Sequence, residues 1–374
     1  MKYFDYAATA PMCEDAARIY VDMSTRMFGN SSSLHDYGSQ ADYLLNQCRE
    51  SMAEMIGGLA EGIYFTSGGT ESNILSILSL ARKAKNKGKH IITSMAEHSS
   101  VHSAMAILEK EGFEITRIAF NQSGLIDLKQ LKSSIREDTI LVTIQYVNQE
   151  IGTIQPAAEL GAFLKEKEIL FHSDCVQAFG KLDLRPLVAV ADSLSLSSHK
   201  VRGPKGVGAA YISPTVSWEP VFPGLSHEKG FRGGTVNVPG ILAFTAAAEK
   251  ATRSYSLDHE WKLRSAFKEQ LQRSACVFLE ADTRHQLPSI IGMRLPGVEG
   301  QFVMLEANQE GMAISTGSAC QSGVDNGAKA TLAMGQTETE AKQFFRVSFG
   351  EETTVSDVAA LADVLNRMPV IIQR

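Results

Sequence analysis

The chain has 374 residues, with 36 Lys and Arg against 42 Asp and Glu for a formal charge of −6. That length suits about two domains and a core that needs no metal or disulfide staple. A hydrophobic share of 44% excludes a disordered chain, and the acidic balance argues against a general nucleic-acid or anionic-membrane binder. The opening MKYFDYAATAP has one lysine and no apolar core, so it does not read as a secretory signal. No continuous apolar run is long enough for a membrane span. Cys13, Cys48, Cys175, Cys276 and Cys320 form no CxxC or CxxH pair, which predicts reduced thiols in a cytoplasmic protein and no metal site.

In chain order, short runs rich in Ile, Val, Leu or Phe predict strands at Ile63–Thr66, His90–Thr93, Glu114–Ala119 and Ile140–Val147. Further strands are expected at Ile169–Ser173, Ser193–Ser197 and Gly206–Ile212. Between them, helical periodicity marks Ser39–Ile56, Glu71–Lys87, Ser100–Glu111, Leu128–Ile135 and Ala157–Glu168. This alternation predicts an α/β fold with a mostly parallel central sheet. Past residue 250 the character changes. A long polar helix is expected over His259–Cys276, then a strand at Ser289–Leu295, a helix at Gly300–Gln309, a Gly-rich stretch, a strand at Phe345–Phe349 and a helix at Val355–Arg367. The expected division is a large domain over 13–251 and a smaller α+β domain made of 1–12 and 252–374.

Three segments carry chemistry. The turn Thr66-Ser67-Gly68-Gly69-Thr70-Glu71 joins a strand to a helix start. Its glycines admit a ligand close to the backbone, and helix N–H groups favour a phosphate. It lacks the lysine of a Walker loop and the GxGxxG of a dinucleotide site; an ordinary Ser/Thr-capped turn is the plainer reading. Asp174 closes an apolar strand at the end where α/β sheets bind ligands, or else caps the next helix. Ser197-Ser198-His199-Lys200 places a lysine just past another strand end. It reads as a Schiff-base lysine or as a basic loop, solvated or gripping an anion. Together the three are what a pyridoxal phosphate site needs: fixed donors for the phosphate, a carboxylate for the pyridine nitrogen and an amine for the aldehyde. His98 follows a further strand end and suits the ring face.

With those residues the sequence resembles the cysteine desulfurases, pyridoxal-phosphate-dependent enzymes of the class V aminotransferase-like, fold-type I group. The matching motifs run in register along nearly the whole chain. They are DYAAT from Asp5, GNSS from Gly29, TSGGTESN from Thr66, Glu97-His98, and NQEIG from Asn148. They continue through Asp174 and Gln177 in SDCVQAFGK, SSHK ending at Lys200, RGGTVN from Arg232, GSAC ending at Cys320, and Arg346-Val347-Ser348. The resemblance implies that Lys200 holds the cofactor as an aldimine and moves the substrate α-proton. Asp174 would pair with the pyridinium, Gln177 with the ring hydroxyl, and His98 would stack on the ring and assist proton transfer. Gly69, Thr70, Ser197 and His199 would hold the phosphate, with Thr235 arriving from the second subunit of a homodimer. Asn148 and Arg346 would bind the carboxylate of L-cysteine. Cys320, in a stretch with four glycines from 309 to 327, would take the sulfur as a persulfide on a mobile loop. It would then hand the sulfur to an acceptor protein for iron–sulfur assembly or tRNA thiolation.

The match departs from the family pattern at Gln149, which replaces a second asparagine, at Glu351, where arginine is common, and in a short C-terminal tail. A selenocysteine lyase or another aminotransferase of the same fold is the alternative enzyme, and a sulfur-relay scaffold the alternative without catalysis. Direct nucleic-acid binding through Lys200, Arg202 and Lys205 is opposed by the net charge and the lack of an aromatic platform.

Overall fold

The computed structural model describes residues 1–271, 275–317 and 328–368. Twelve strands run in chain order: β1 Lys2–Tyr3, β2 Ile63–Thr66, β3 His90–Ser94, β4 Glu114–Ile118, β5 Thr139–Thr143, β6 Leu170–Asp174, β7 Ser193–Ser197, β8 Gly208–Ile212, β9 Val277–Leu279, β10 Ile290–Arg294, β11 Met312–Ala313 and β12 Phe344–Ser348. Seven of them form one sheet in the order β2-β8-β7-β6-β5-β3-β4, in which only β8 runs against the rest. Strands β2, β3, β5, β7 and β8 are buried at every position, as expected of a sheet covered on both faces. The edge strand β4 is largely open.

Period-two alternation sends neighbouring residues to opposite faces. Ile91 and Leu141 pack under the helices Gly69–Ala84 and Ser99–Lys110, with Ile77, Leu78, Val101 and Leu108. Ile92 and Val142 pack on the other face under the helices Asp36–Ile56, Ala157–Glu166 and Val238–Ser254, with Met52, Leu160 and Phe244. Each fully buried Phe or Leu in these layers contributes about 2 kcal/mol of burial.

A second cluster lies on the antiparallel sheet β12-β10-β9, where Phe4, Phe267, Val303, Phe345 and Leu361 meet. The chain start joins this cluster: β1 pairs with β11, and Phe4 is 1% exposed. The next residues reach the large sheet, for Ala10 N donates to His199 O at 3.1 Å.

Some element ends differ from the sequence reading. The run Ile140–Val147 leaves the ladder after Thr143, because Val147 bridges Ile154 to close a turn through Gly152. The helix expected over His259–Cys276 is Leu257–Gln270, capped by Ser256 Oγ. The helices Glu14–Arg26 and Val238–Ser254, absent from the sequence reading, pack on each other through Ala16, Ala243 and Ala247. Their interface is mostly alanine, which leaves little hydrophobic contrast to read. No described helix is long and apolar enough to cross a membrane.

Candidate active site

The C-terminal ends of β2, β3, β5, β6 and β7 point the same way and open on a cavity of about 510 Å³. Ligands of α/β sheets bind at this edge. Gly69, Thr70, His98, Asp174, Gln177, Ser197, His199, Lys200 and Arg346 all line it.

After β2 the chain turns through Gly68, at φ 150°, straight into the helix Gly69–Ala84. The first-turn N–H groups of that helix have no carbonyl before them, and its first residues, Gly69, Thr70 and Glu71, line the cavity. Gly208 on β8 makes this approach possible, since a Cβ there would meet Gly68 Cα at 2.6 Å. Beside the turn, Ser197 Oγ is buried with no hydrogen-bond partner among the described residues. His199 Nδ1 meets Thr9 Oγ1 at 3.1 Å. Burial, then the charges of Lys200 and Lys205, hold its imidazole down to about 4, so it is neutral near pH 7.

Asp174 ends β6 and is 7% exposed. Its Oδ2 accepts from Asn73 Nδ2 at 2.7 Å and its Oδ1 from Val176 N at 2.9 Å. Asn73 also donates to Ser100 Oγ at 3.0 Å, and its own oxygen meets His172 Nε2 at 3.0 Å. Ser100 Oγ lies 2.7 Å from His98 Nδ1, which also accepts from Ser100 N at 3.2 Å. An N–H can only donate, so Nδ1 of His98 is the acceptor and Nε2 carries the hydrogen of the neutral ring. Burial pushes the His98 imidazole down, against the pull of Asp174. Asn73 therefore couples the carboxylate and the imidazole through one amide group.

Lys200 follows β7 in a single 3-10 turn, Ser198–Lys200. Its Nζ donates to Ala7 O and, at 2.7 Å, to Ala8 O. Gln177 Nε2 donates to the same Ala7 carbonyl at 2.8 Å. Burial first, then Arg346 and Lys181, push the ammonium of Lys200 down to about 7, against Asp5 and Asp174. The amine is thus available as a base or nucleophile near neutrality.

Arg346 lies on β12, with Nη1 on Gln149 O at 2.7 Å and Nη2 on Asp5 Oδ1 at 2.7 Å. Its Nε is buried without a partner among the described residues. Asn148 does not line the cavity: it is fully buried, and its side-chain oxygen accepts from Glu150 N at 2.8 Å and Ile151 N at 2.9 Å. Thr235 is exposed and lies off the cavity wall. Cys320 lies outside the described residues, although Gly317 before it and Lys329 after it both line the cavity. Glu351 meets Arg202 at 2.6 Å, so the charge reversal at that position is matched by a local partner. Sequence reasoning gave no role to Asn73, Asp5 or the carbonyls of Ala7 and Ala8. Asn73 and Asp5 sat inside quoted motifs, but nothing local to them signals what they touch.

The class-V aminotransferase family model matches residues 2–361. The chain belongs to that family, among the NifS and IscS cysteine desulfurases. A NifS protein of Bacillus subtilis (strain 168) is 49% identical over 366 residues, covering 96% of this chain and 93% of the relative. The cysteine desulfurase IscS of Neisseria meningitidis serogroup C is 37% identical, with 97% and 91% covered. Among solved structures, a NifS-like protein superposes with a TM-score of 0.89 at 30% identity, over 97% and 98% of the two chains. SspA in complex with cysteine gives 0.82 at 32%, over 93% and 99%.

The family depends on pyridoxal 5′-phosphate, and the residues present fit that group. The orphaned Ser197 hydroxyl and the helix N-terminus suit its phosphate, Asp174 suits a protonated ring nitrogen, and Lys200 suits its aldehyde.

Proposed function

We propose that this cysteine desulfurase works at the cavity just described, with Lys200, Asp174, Ser197, His199, Gly69 and Thr70 holding the cofactor. Bound there, the cofactor supplies an electron sink for the substrate's α-carbon. Lys200 Nζ moves the α-proton, His98 presents its Nε2–H toward the same space, and Arg346 orients the carboxylate of L-cysteine. The Cys320 thiolate attacks the substrate sulfur. A sulfur–sulfur bond forms as the carbon–sulfur bond breaks, the bonding pair stays on carbon and is protonated, and L-alanine leaves. The persulfide on Cys320 then passes to an acceptor protein of an iron–sulfur or thiolation pathway. Residues 13–251 form the cofactor-holding unit, and 1–12 with 252–374 form the smaller one that carries Cys320. Thr235 reaches the phosphate of a second copy, so the working unit is a homodimer. A reducing, cytoplasmic setting suits the free thiols of Cys13, Cys48 and Cys175.

The observation that carries this reading is the meeting, around one cavity, of Lys200, Asp174 and a Ser197 hydroxyl with no partner among the described residues. Among the other cysteines, burial raises the Cys48 thiol to about 11 and pushes the Cys175 thiol well above its ordinary range, so neither yields thiolate easily. The test is mass spectrometry after brief exposure to cysteine without reductant. Added sulfur is expected on the Cys320 peptide alone, and Cys320→Ser should bind cofactor yet release no alanine. Sulfur on another cysteine, with the serine variant active, would overturn the assignment.

A further inference from the structure

Lys200 also lines a second cavity, of about 320 Å³, on the side away from the phosphate turn. Lys181 and Glu260 line that cavity as well. Lys181 ends the motif that begins at Ser173. The chain folds back through Gly180, at φ 72°, where a Cβ would meet Val201 Cγ1 at 2.8 Å. This turn returns Lys181 to Gln177, whose Oε1 accepts from Lys181 Nζ at 3.4 Å. Gln177 Nε2 in turn donates to Ala7 O, the carbonyl that Lys200 Nζ also uses. Glu260, in the first turn of the Leu257–Gln270 helix, is 3% exposed, and its Oε2 has no hydrogen-bond partner among the described residues. A buried carboxylate in that state calls for a compensating cation in its cavity, and Lys181 lines the same one.

We propose that Lys181 is a positioning residue for Lys200. Its ammonium, on Gln177 Oε1 and in the same cavity as Glu260, fixes the Gln177 amide on the Ala7 carbonyl and sets a positive charge behind Lys200 Nζ. The inference rests on the reading of Lys200 as the cofactor-linked lysine. Around Lys200 the other charged or titratable groups are Arg346 from β12, Asp5 from the chain start, Asp174 from β6, and His98 and His199. Around Lys181 they are Glu260 and Arg346. The remaining charges of the second cavity have partners of their own: Arg202 pairs with Glu351, and Lys250 with Asp15. His259 lines the same wall. Burial pushes Lys181 down to about 8 and Glu260 up to about 7, and the two opposite charges oppose those shifts in each other. Gln177 gains from this a defined orientation: with its oxygen committed to Lys181, its N–H side must face the site. A cation behind Lys200 disfavours a second positive charge at Nζ.

The test compares cofactor-loaded parent, Lys181→Met, Lys181→Gln and Lys181→Arg proteins, without substrate. Absorbance of the bound cofactor is followed from neutral to alkaline pH, which reads the proton at Lys200 Nζ. Removing the cation should raise the midpoint by about one pH unit in the Met and Gln variants, while Lys181→Arg should track the parent. Lys181→Gln retains a donor for Gln177, so it carries the expectation alone where Lys181→Met fails to fold. An unmoved midpoint at full cofactor occupancy would overturn the proposal, as would an equal shift in Lys181→Arg. Borohydride reduction followed by peptide mapping separates the two levels. Cofactor mass on a peptide lacking Lys200 would defeat the underlying assignment, whereas mass on the Lys200 peptide with an unmoved midpoint would defeat only the role of Lys181.

Discussion

Glu228→Ala should destabilise the protein through a contact far from the reacting atoms. Glu228 and Arg49 are 5% and 7% exposed and pair at 2.6 and 2.8 Å through both guanidinium nitrogens. The pair also closes the free edge of β2, for Glu228 Oε2 accepts from Phe65 N at 2.7 Å and Arg49 Nη1 donates to Ile63 O at 2.6 Å. Removing one partner of a buried pair costs about 3–5 kcal/mol. Alanine inherits the same backbone at φ 47°, so that strain is not returned, while water admitted beside Arg49 keeps the cost at the lower end of that range. The net loss is about 3 kcal/mol. An unfolding entropy of roughly 2.1 cal/mol/K per residue gives about 0.8 kcal/mol/K for the chain, so the melting temperature should fall by about 4 °C. The assay is thermal melting with saturating cofactor, on Glu228→Ala and on the double variant Arg49→Met with Glu228→Leu. A buried pair replaced by apolar side chains of similar volume is often neutral, so the double variant should melt closer to the parent than Glu228→Ala does. A single variant within about 1 °C of the parent, or a double variant less stable than Glu228→Ala, would refute the argument.

Two further outcomes test the site itself. With its ammonium pushed down to about 7, Lys200 offers a neutral amine in a fraction that rises with pH. Cofactor capture by the cofactor-free protein should therefore fall about fivefold from pH 7 to pH 6, and a flat profile over that interval would remove Lys200 as the capturing amine. The cofactor-loaded protein should sediment as a dimer, since Thr235 is exposed and off the cavity of its own chain; a monomer that holds cofactor and turns over would exclude the cross-subunit contact.

Strand ends were legible in the sequence because polarity changes abruptly there. Asp174 closes an apolar run, and Lys200 follows one. Each was ambiguous alone, and the family resemblance supplied the roles. The surroundings that give those side chains their chemistry were not legible. Lys200 meets the carbonyls of Ala7 and Ala8, which lie 193 and 192 positions away in the chain. Backbone carbonyls carry no residue-type signal, and DYAAT, although a matching motif, does not say what its carbonyls touch. Arg49 and Glu228 are likewise 179 positions apart, and each looks like an ordinary surface charge on its own segment.

The chain start shows what such distant contacts accomplish. Phe4 belongs to the cluster on β12, and Ser348 N donates to Phe4 O at 2.7 Å. Three residues later, Ala7 N donates to Ser348 Oγ at 2.9 Å while Ala7 O receives both Gln177 and Lys200. Asp5 meanwhile holds Arg346 on the same strand as Ser348. One short segment thus ties the strand that presents the Arg346 guanidinium to the lysine across the cavity. A shift of β12 relative to the large sheet would have to move Ala7 or break its bonds. The separation of Lys200 and Arg346 is therefore set by the first eight residues as much as by either sheet.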